Sequence, residues 1–353
     1  QRLYQQRLYQ QRLSHALLAT PEEVVEWLGA VQSQDYPGAK WSLALRMQNP
    51  QDDAIERAYA EGTILRTHVL RPTWHFVPAA DIRWMLELTA PRIIAQNAHR
   101  TRQLELDAAQ YARSNEVIAR ALQGGHYLTR PELGTALTEA GIPAADGSRL
   151  GHIVMHAELE AVICSGPRRG KQMTYALLDE RAPHARSMPR EEALAELTRR
   201  YFTGHGPATA RDFVWWSGLT MADARAGLAM CDAHLTREEI DGNAYWFSAT
   251  SPPEAKPYDQ AILLPTFDEF LVGYAGFGAS RTEGWNISEV GAFAAMIVLR
   301  GRIVGSWRRT FKGGAIVMEL TLFAPVSGAE NEVITAAAER YGAFVGMPVV
   351  HES

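Results

Sequence analysis

The chain has little of what marks several large protein classes. Among its 353 residues are two cysteines, Cys164 and Cys231, far apart in sequence. That excludes a disulfide-stapled scaffold and a cysteine metal centre, and it suits a reducing, cytoplasmic setting. No apolar run approaches the roughly 20 residues a membrane span needs. The Gln-rich start has no apolar core of the signal-peptide kind, so no secretory leader is expected. Only four of the 35 basic residues are lysine, and the net charge is −5. The charge excludes a nonspecific polybasic coat but not a local basic surface. The arginine excess fits forked contacts to phosphate, and it equally fits a compositional bias of the genome.

What is present indicates a folded chain of two or three domains: 46% of the residues are hydrophobic and nine are tryptophan. Residues 1–14 repeat Gln-Arg-Leu with a period of five, which is not a helical period. This stretch is expected to be a fragment or duplicated end without a functional role. Thr20-Pro21-Glu22-Glu23 then carries an N-cap, a proline at the first helical position and a capping box. Val24, Leu28 and Val31 face a core, and the spacing predicts one helix that fails before Pro37. Gln32 and Gln34 fall where it gives out. In extended chain, residues two apart point the same way, so two primary amides would converge.

Residues 64–77 read as strand interrupted by a bend at Pro72, with Trp74 and Phe76 on one face and Thr73, His75 and Val77 on the other. Pro78 and Asp81 open a helix. A helix from about Asn115 to Leu122 follows, then helices started by the Thr129-Arg130-Pro131-Glu132 box and by Asp146. Strands near 161–164 and 173–178 form a hairpin whose Gly/Pro-rich tip is basic, with Arg168, Arg169 and Lys171. Three helices and a hairpin in that order describe a winged helix. Residues 190–250 repeat the layout, with Thr209 and Thr220 as caps and a Ser217-Gly218 turn between helices. After a Pro-bearing linker at 251–258 the pattern turns to strands and a closing helix at 331–344.

The expected class is therefore α+β and mostly helical: tandem winged helix-turn-helix units with a C-terminal α+β subdomain. The boundaries are 11–110 for the unit carrying Gln-x-Gln, 111–185 and 186–250 for the second and third units, and 259–353 for the subdomain.

Serial helix-turn-helix units occur here with Gln32-Ser33-Gln34, Leu70-Arg71-Pro72-Thr73-Trp74-His75-Phe76-Val77, Leu263-Leu264-Pro265-Thr266-Phe267-Asp268-Glu269-Phe270 and Gly301-Arg302-Ile303-Val304-Gly305-Ser306-Trp307-Arg308-Arg309. Together, in this order, they resemble the AlkZ/YcaQ family of bacterial DNA glycosylases from Gln11 to the C-terminus. The resemblance implies an enzyme that hydrolyses the N-glycosidic bond of N7-alkylated purines, including bulky toxin adducts and interstrand crosslinks. The family's catalytic signature is Gln-Φ-Gln or Gln-Φ-Asp, with Φ apolar. Gln32 and Gln34 match the first form as the catalytic pair, and Ser33 departs from Φ. An N7-alkylated base is already a good leaving group, so the site must hold water and stabilise an oxocarbenium-like sugar. Glutamines can orient water but are poor general bases.

Thr73, Trp74 and His75 are candidates for the lesion pocket, with a structural histidine an equal alternative for His75. Arg71, Arg149, Arg168, Arg169, Lys171, Arg308 and Arg309 are candidates for DNA contact; Arg308, Arg309 and Lys312 either extend a basic surface or are paired surface charges. Arg149, His152 and His156 share the outer face of a recognition helix. His152 and His156 lack a third ligand, so no metal is expected, and no cofactor. Asp268 and Glu269 are read as structural rather than acid/base groups, and Trp215 and Trp216 as core. The expected partner is double-stranded DNA with alkylated purines, acted on by a cytoplasmic, nucleoid-associated monomer without membrane or obligate protein partner. The alternatives are a noncatalytic winged-helix DNA-binding protein (a transcription regulator or toxin-sequestering protein) and an interaction scaffold. A regulator would usually dimerise on a palindrome, and the sequence has no evident dimerisation segment.

Overall fold

The computed structural model describes residues 2–144, 146–251, 258–275 and 294–351. Most of the 251–258 linker lies outside them. Helix α1 (Arg2–Gln10) is followed by α2 (Pro21–Leu28), β1 (Val31–Gln32), α3 (Tyr36–Ala44), α4 (Asp52–Glu61), β2 (Ile64–Val69) and β3 (Thr73–Pro78). The long α5 (Ile82–Gln103) leads to α6 (Ala108–Leu122), β4 (Leu128–Thr129), α7 (Arg130–Glu139), α8 (Gly147–Leu159), β5 (Ile163–Arg169) and β6 (Gln172–Leu177). After the short α9 (Leu178–Arg181) come α10 (Arg190–Gly204), α11 (Ala210–Ser217), α12 (Met221–Met230), β7 (Leu235–Ile240) and β8 (Asn243–Ser248). The chain continues with β9 (Ala261–Leu264), α13 (Glu269–Val272), β10 (Met296–Leu299), β11 (Arg302–Lys312), β12 (Ala315–Leu322), α14 (Gly328–Val345) and β13 (Val349–His351). The fold is mixed α+β. Its sheets run β1-β3-β2, β4-β6-β5, β7-β8 and β13-β12-β11-β10-β9.

Helix starts follow local chemistry. Thr20, Thr129, Thr209 and Thr220 each accept from the backbone three residues on while a carboxylate reaches back. The Asp107–Gln110 box starts α6 seven residues before Asn115, earlier than the sequence pattern suggested. Two other boundaries also differ. The helix expected to reach Gln32 stops at Gly29, whose φ of 79° breaks it. The chain then pairs as β1, and Pro37 sits inside the first turn of α3 rather than ending a helix. Residues 2–10 are helical despite their five-residue repeat, because Leu8 and neighbouring side chains bury against the rest of the molecule.

The cores are not collinear with the sequence. One cluster is drawn from residues 106–175 alone. A second joins Leu8, Trp84, Phe202 and Trp216 to Phe270 and Val298. A third joins Val31, Trp41 and Phe76 to Ile297, Trp307 and Tyr341. The sheet β1-β3-β2 lies between these last two. Its alternation sends Val77 to one cluster and Phe76 to the other.

Candidate active site

Gln32 ends β1, and its register partner on β3 is His75, which in turn faces Thr67 on β2. Directly paired residues project from one face, so Gln32, His75 and Thr67 form a row across the sheet. The Gln32 side chain is buried, and its Oε1 accepts from Arg71 Nη2 at 3.0 Å. Gln34 lies beyond the strand and is exposed. Its Oε1 accepts from the Trp74 N–H at 3.3 Å. Both amides thus end at the start of β3, one inside the protein and one at its surface. Ser33 between them is fully buried, which accounts for an apolar residue suiting that position, and its Oγ has no partner. Its backbone is held at both ends: the N–H donates to Trp74 O at 2.7 Å, and the carbonyl accepts from Arg66 Nε at 3.1 Å.

His75 Nδ1 donates to the Thr73 carbonyl at 3.0 Å. A carbonyl can only accept, so the proton sits on Nδ1 and Nε2 keeps its lone pair. Burial, with the neighbouring Arg71 charge, pushes this imidazole down to about 4, so it is neutral near pH 7. His75 Nε2, Thr67 Oγ1, Thr73 Oγ1 and Trp74 Nε1 are all buried without a partner. Thr67, Thr73 and His75 share one face of the sheet, and Trp74 lies on the other.

Beneath the row lies Glu269, at the start of α13 and fully buried. Its Oε1 accepts from the Gln32 N–H at 2.8 Å, and its Oε2 accepts from Trp216 Nε1 at 2.9 Å and contacts His205 Nε2 at 3.3 Å. Burial opposes its ionisation, but the hydrogen bond and attraction of His205, with the Gln32 N–H, hold it down at about 2. The position of α13 is set next door. Asp268 accepts from Arg46 Nη1 and Nη2 at 2.8 and 2.9 Å and from Ser42 Oγ at 2.6 Å, with both charged side chains fully buried. Gln11, from the supposedly idle terminal repeat, accepts from Arg46 Nη2 at 2.8 Å and donates to the Glu269 carbonyl.

The other candidates are scattered. Arg71 lies at the site, with its guanidinium 5.5 Å above the Trp215 ring. Trp216 is core as expected, but Trp215 is 51% exposed, because α11 turns that face outward beside Arg71. Arg168 and Arg169 end strand β5 and Lys171 follows in the turn, so the basic residues lie at the hairpin tip. Arg168 pairs with Glu56, Arg169 with Glu132, and Lys171 stands exposed near the tip. Arg309 reaches Asp35 at 3.8 Å and lies against Trp307 and Tyr341, while Arg308 and Lys312 are exposed. The outer-face reading of α8 needs correction. Arg149 donates to the carbonyls of Leu104 and Pro143, and His152 and His156 line a groove against α5 and α6, with His156 stacked 3.7 Å from Tyr111. Among the described residues no cluster of three metal-binding side chains occurs.

Sequence reading missed the contacts of Glu269 and Arg66 with the glutamine segment, and the His205 partner of Glu269. Glu269 and Gln32 are 237 positions apart, and no local pattern joins them. The available signal was a pair of carboxylates set between Phe267 and Phe270, since a charge in apolar surroundings needs partners.

Comparison with known proteins places the chain among DNA glycosylases. The family model described as DNA glycosylase AlkZ-like matches residues 25–344, and the chain belongs to that family. An interstrand DNA cross-link repair glycosylase of Streptomyces sahachiroi is 27% identical over 308 residues, covering 81% of each chain. The structure of Streptomyces sahachiroi DNA glycosylase AlkZ matches with a TM-score of 0.80 over 99% of this chain and 98% of that one. At 23% identity that likeness is one of fold.

Proposed function

We propose that this glycosylase hydrolyses the N-glycosidic bond of N7-alkylated purines in duplex DNA, at the segment Gln32-Ser33-Gln34. The observation that carries the reading is the pair of amides at the start of β3, one buried on Arg71 and one exposed on the Trp74 N–H. Exposed Gln34 meets the sugar and holds the attacking water at C1′. Buried Gln32 is the fixed element, with its oxygen taken by Arg71 and its backbone by Glu269. An N7-alkylated base departs without protonation, and the surroundings supply no obvious acid: His75 is neutral and Glu269 ionised near pH 7. The anionic Glu269 favours positive charge developing on the sugar. Undamaged purines, which need protonation to leave, are poor substrates for such a site.

The three repeats of helix, short strand or bridge, two helices and hairpin are read as winged helices, with unit boundaries at 11–110, 111–185 and 186–250 and the subdomain at 259–353. The substrates extend to bulky adducts and to interstrand crosslinks, the latter named in the Streptomyces relative. The enzyme acts as a cytoplasmic monomer, with Arg71, Arg308, Arg309 and Lys171 toward the DNA.

The test is release of N7-methylguanine from alkylated duplex, followed by excision from a crosslinked duplex. Gln34→Ala should lose at least 100-fold in single-turnover rate with duplex binding kept, in the range of a lost transition-state contact. Undiminished release by a Gln32→Ala, Gln34→Ala double variant would sink the site assignment.

A further inference from the structure

A cavity of about 350 Å³ opens between the first sheet and the second unit, lined by Arg66, Trp74, Thr129, Arg130, Gln172 and Tyr175 among others. It shares its walls with the glutamine segment: Arg66 Nε holds the Ser33 carbonyl, and the Trp74 N–H holds Gln34. Two guanidiniums lie against one indole, Arg66 at 4.3 Å and Arg130 at 5.7 Å from its centre. Arg130 Nη2 donates to Tyr175 Oη at 3.3 Å.

Neither guanidinium has a carboxylate at ion-pair distance among the described residues, whereas Arg168 and Arg169 on the neighbouring hairpin both do. Glu158, whose charge reaches Arg66, is bonded to His68 Nδ1 at 2.5 Å. Burial, with Arg130 nearby, lowers the Arg66 pKa from its ordinary value. A guanidinium withdrawn from water with a second, half-buried one beside it is costly unless an anion joins them. The Trp74 Nε1 donor, also buried and unpartnered, belongs to the same wall. Forked guanidiniums suit the tetrahedral oxygens of a phosphate diester.

We propose that this cavity is a backbone-phosphate subsite, which takes a phosphate of the damaged strand next to the reacting nucleotide. The proposal rests on the placement of the reaction at Gln32 and Gln34. The subsite fixes the sugar against Gln34, because Trp74 bounds the phosphate on one side and the glutamine on the other. Arg66 and Arg130 are thus binding residues that the motif itself does not contain.

The test uses the full chain and a duplex with a tetrahydrofuran abasic analogue, in which methylphosphonate replaces one phosphate at a time around the analogue. The wild type should lose about tenfold in affinity at one position on the analogue strand. Arg130→Gln should bind the all-phosphate duplex about tenfold more weakly and lose little further at that position. Its plot of log K against log salt should be shallower by about 0.9, one phosphate contact. Arg66→Lys, which keeps the charge but not the fork, provides a second variant if Arg130→Gln melts early. Affinity insensitive to methylphosphonate at every position, or equally sensitive in wild type and both variants, overturns the proposal. So does unchanged binding and salt slope in Arg130→Gln with excision slowed only for bulky adducts, which would make the cavity a seat for the lesion's substituent. The phosphate scan needs no base release, so failure of the glutamine site is read separately from the activity of Gln34→Ala.

Discussion

Ser33 shows how a single residue can depart from a family pattern and still fit the fold. Its hydroxyl is buried and unpartnered, while its backbone makes the useful contacts. Ser33→Ala is expected to leave stability unchanged or raise it by about 1 kcal/mol, since an unsatisfied buried group is removed; the denaturant midpoint measures this. His75 and Glu269 make the pH dependence specific. Both are depressed in the fold, to about 4 and about 2, from ordinary values of 6.5 and 4.5. In each interval the unfolded chain binds more protons than the folded one, so stability falls as pH falls. His75 accounts for a loss between about pH 6.5 and 4, and Glu269 for one between about pH 4.5 and 2, each on the order of 3 kcal/mol. Stability curves of His75→Gln and Glu269→Gln should each flatten in their own interval. A slope retained by His75→Gln between pH 6.5 and 4 would remove that histidine from the account.

At the scale of elements, the site depends on a turn and a helix end that meet. Gly218 closes α11 with φ of 71°, and a Cβ there would stand 2.3 Å from the Leu70 carbonyl oxygen. Leu70 itself has φ of 62° and begins the turn that delivers Arg71 to Gln32. Gly218→Ala should therefore displace that turn, with a loss of more than about 2 kcal/mol and reduced base release. Gly124→Ala, at φ 85° with nothing within 4 Å, should cost about 1 kcal/mol and leave activity intact. Thermal melts paired with excision rates distinguish the two. The helix starts at Thr20, Thr129, Asp146, Thr209 and Thr220 were legible because a cap is written within four residues. The end of α2 was not, because apolar spacing continued to Val31 while Gly29 had already broken the helix. The α8 face was misassigned because periodicity gives a helix its two sides without naming the neighbours. The second side of α8 packs toward α5 and α6.

Across the whole molecule, the candidate site is assembled by a buried polar network from segments remote in sequence. Arg46, Asp268, Ser42 and Gln11 connect the segment after α1, the end of α3 and the start of α13, and thereby place Glu269 against Gln32. Asp268→Ala leaves Arg46 charged and buried without its partner, at a cost of about 3–5 kcal/mol. Arg46→Met with Asp268→Leu should recover much of that stability, while base release stays impaired because the Ser42 bond to Asp268, the Asp268 cap on the Phe270 N–H and the Arg46–Gln11 bond are lost. Chemical denaturation and excision assays on the pair separate the two effects.

The sequence by itself determined the local and the generic: helix starts from caps, strands from alternation, an α+β class, and two glutamines in an ordered series of motifs. These depend on interactions within a few residues, or on patterns carried whole along the chain. Tertiary structure alone decided the surroundings of those glutamines. It buried Gln32, exposed Gln34, made His75 neutral and brought Glu269 and Arg66 to either side of one short segment. Burial and pairing depend on distances between groups remote in sequence, and only the packed chain sets those distances.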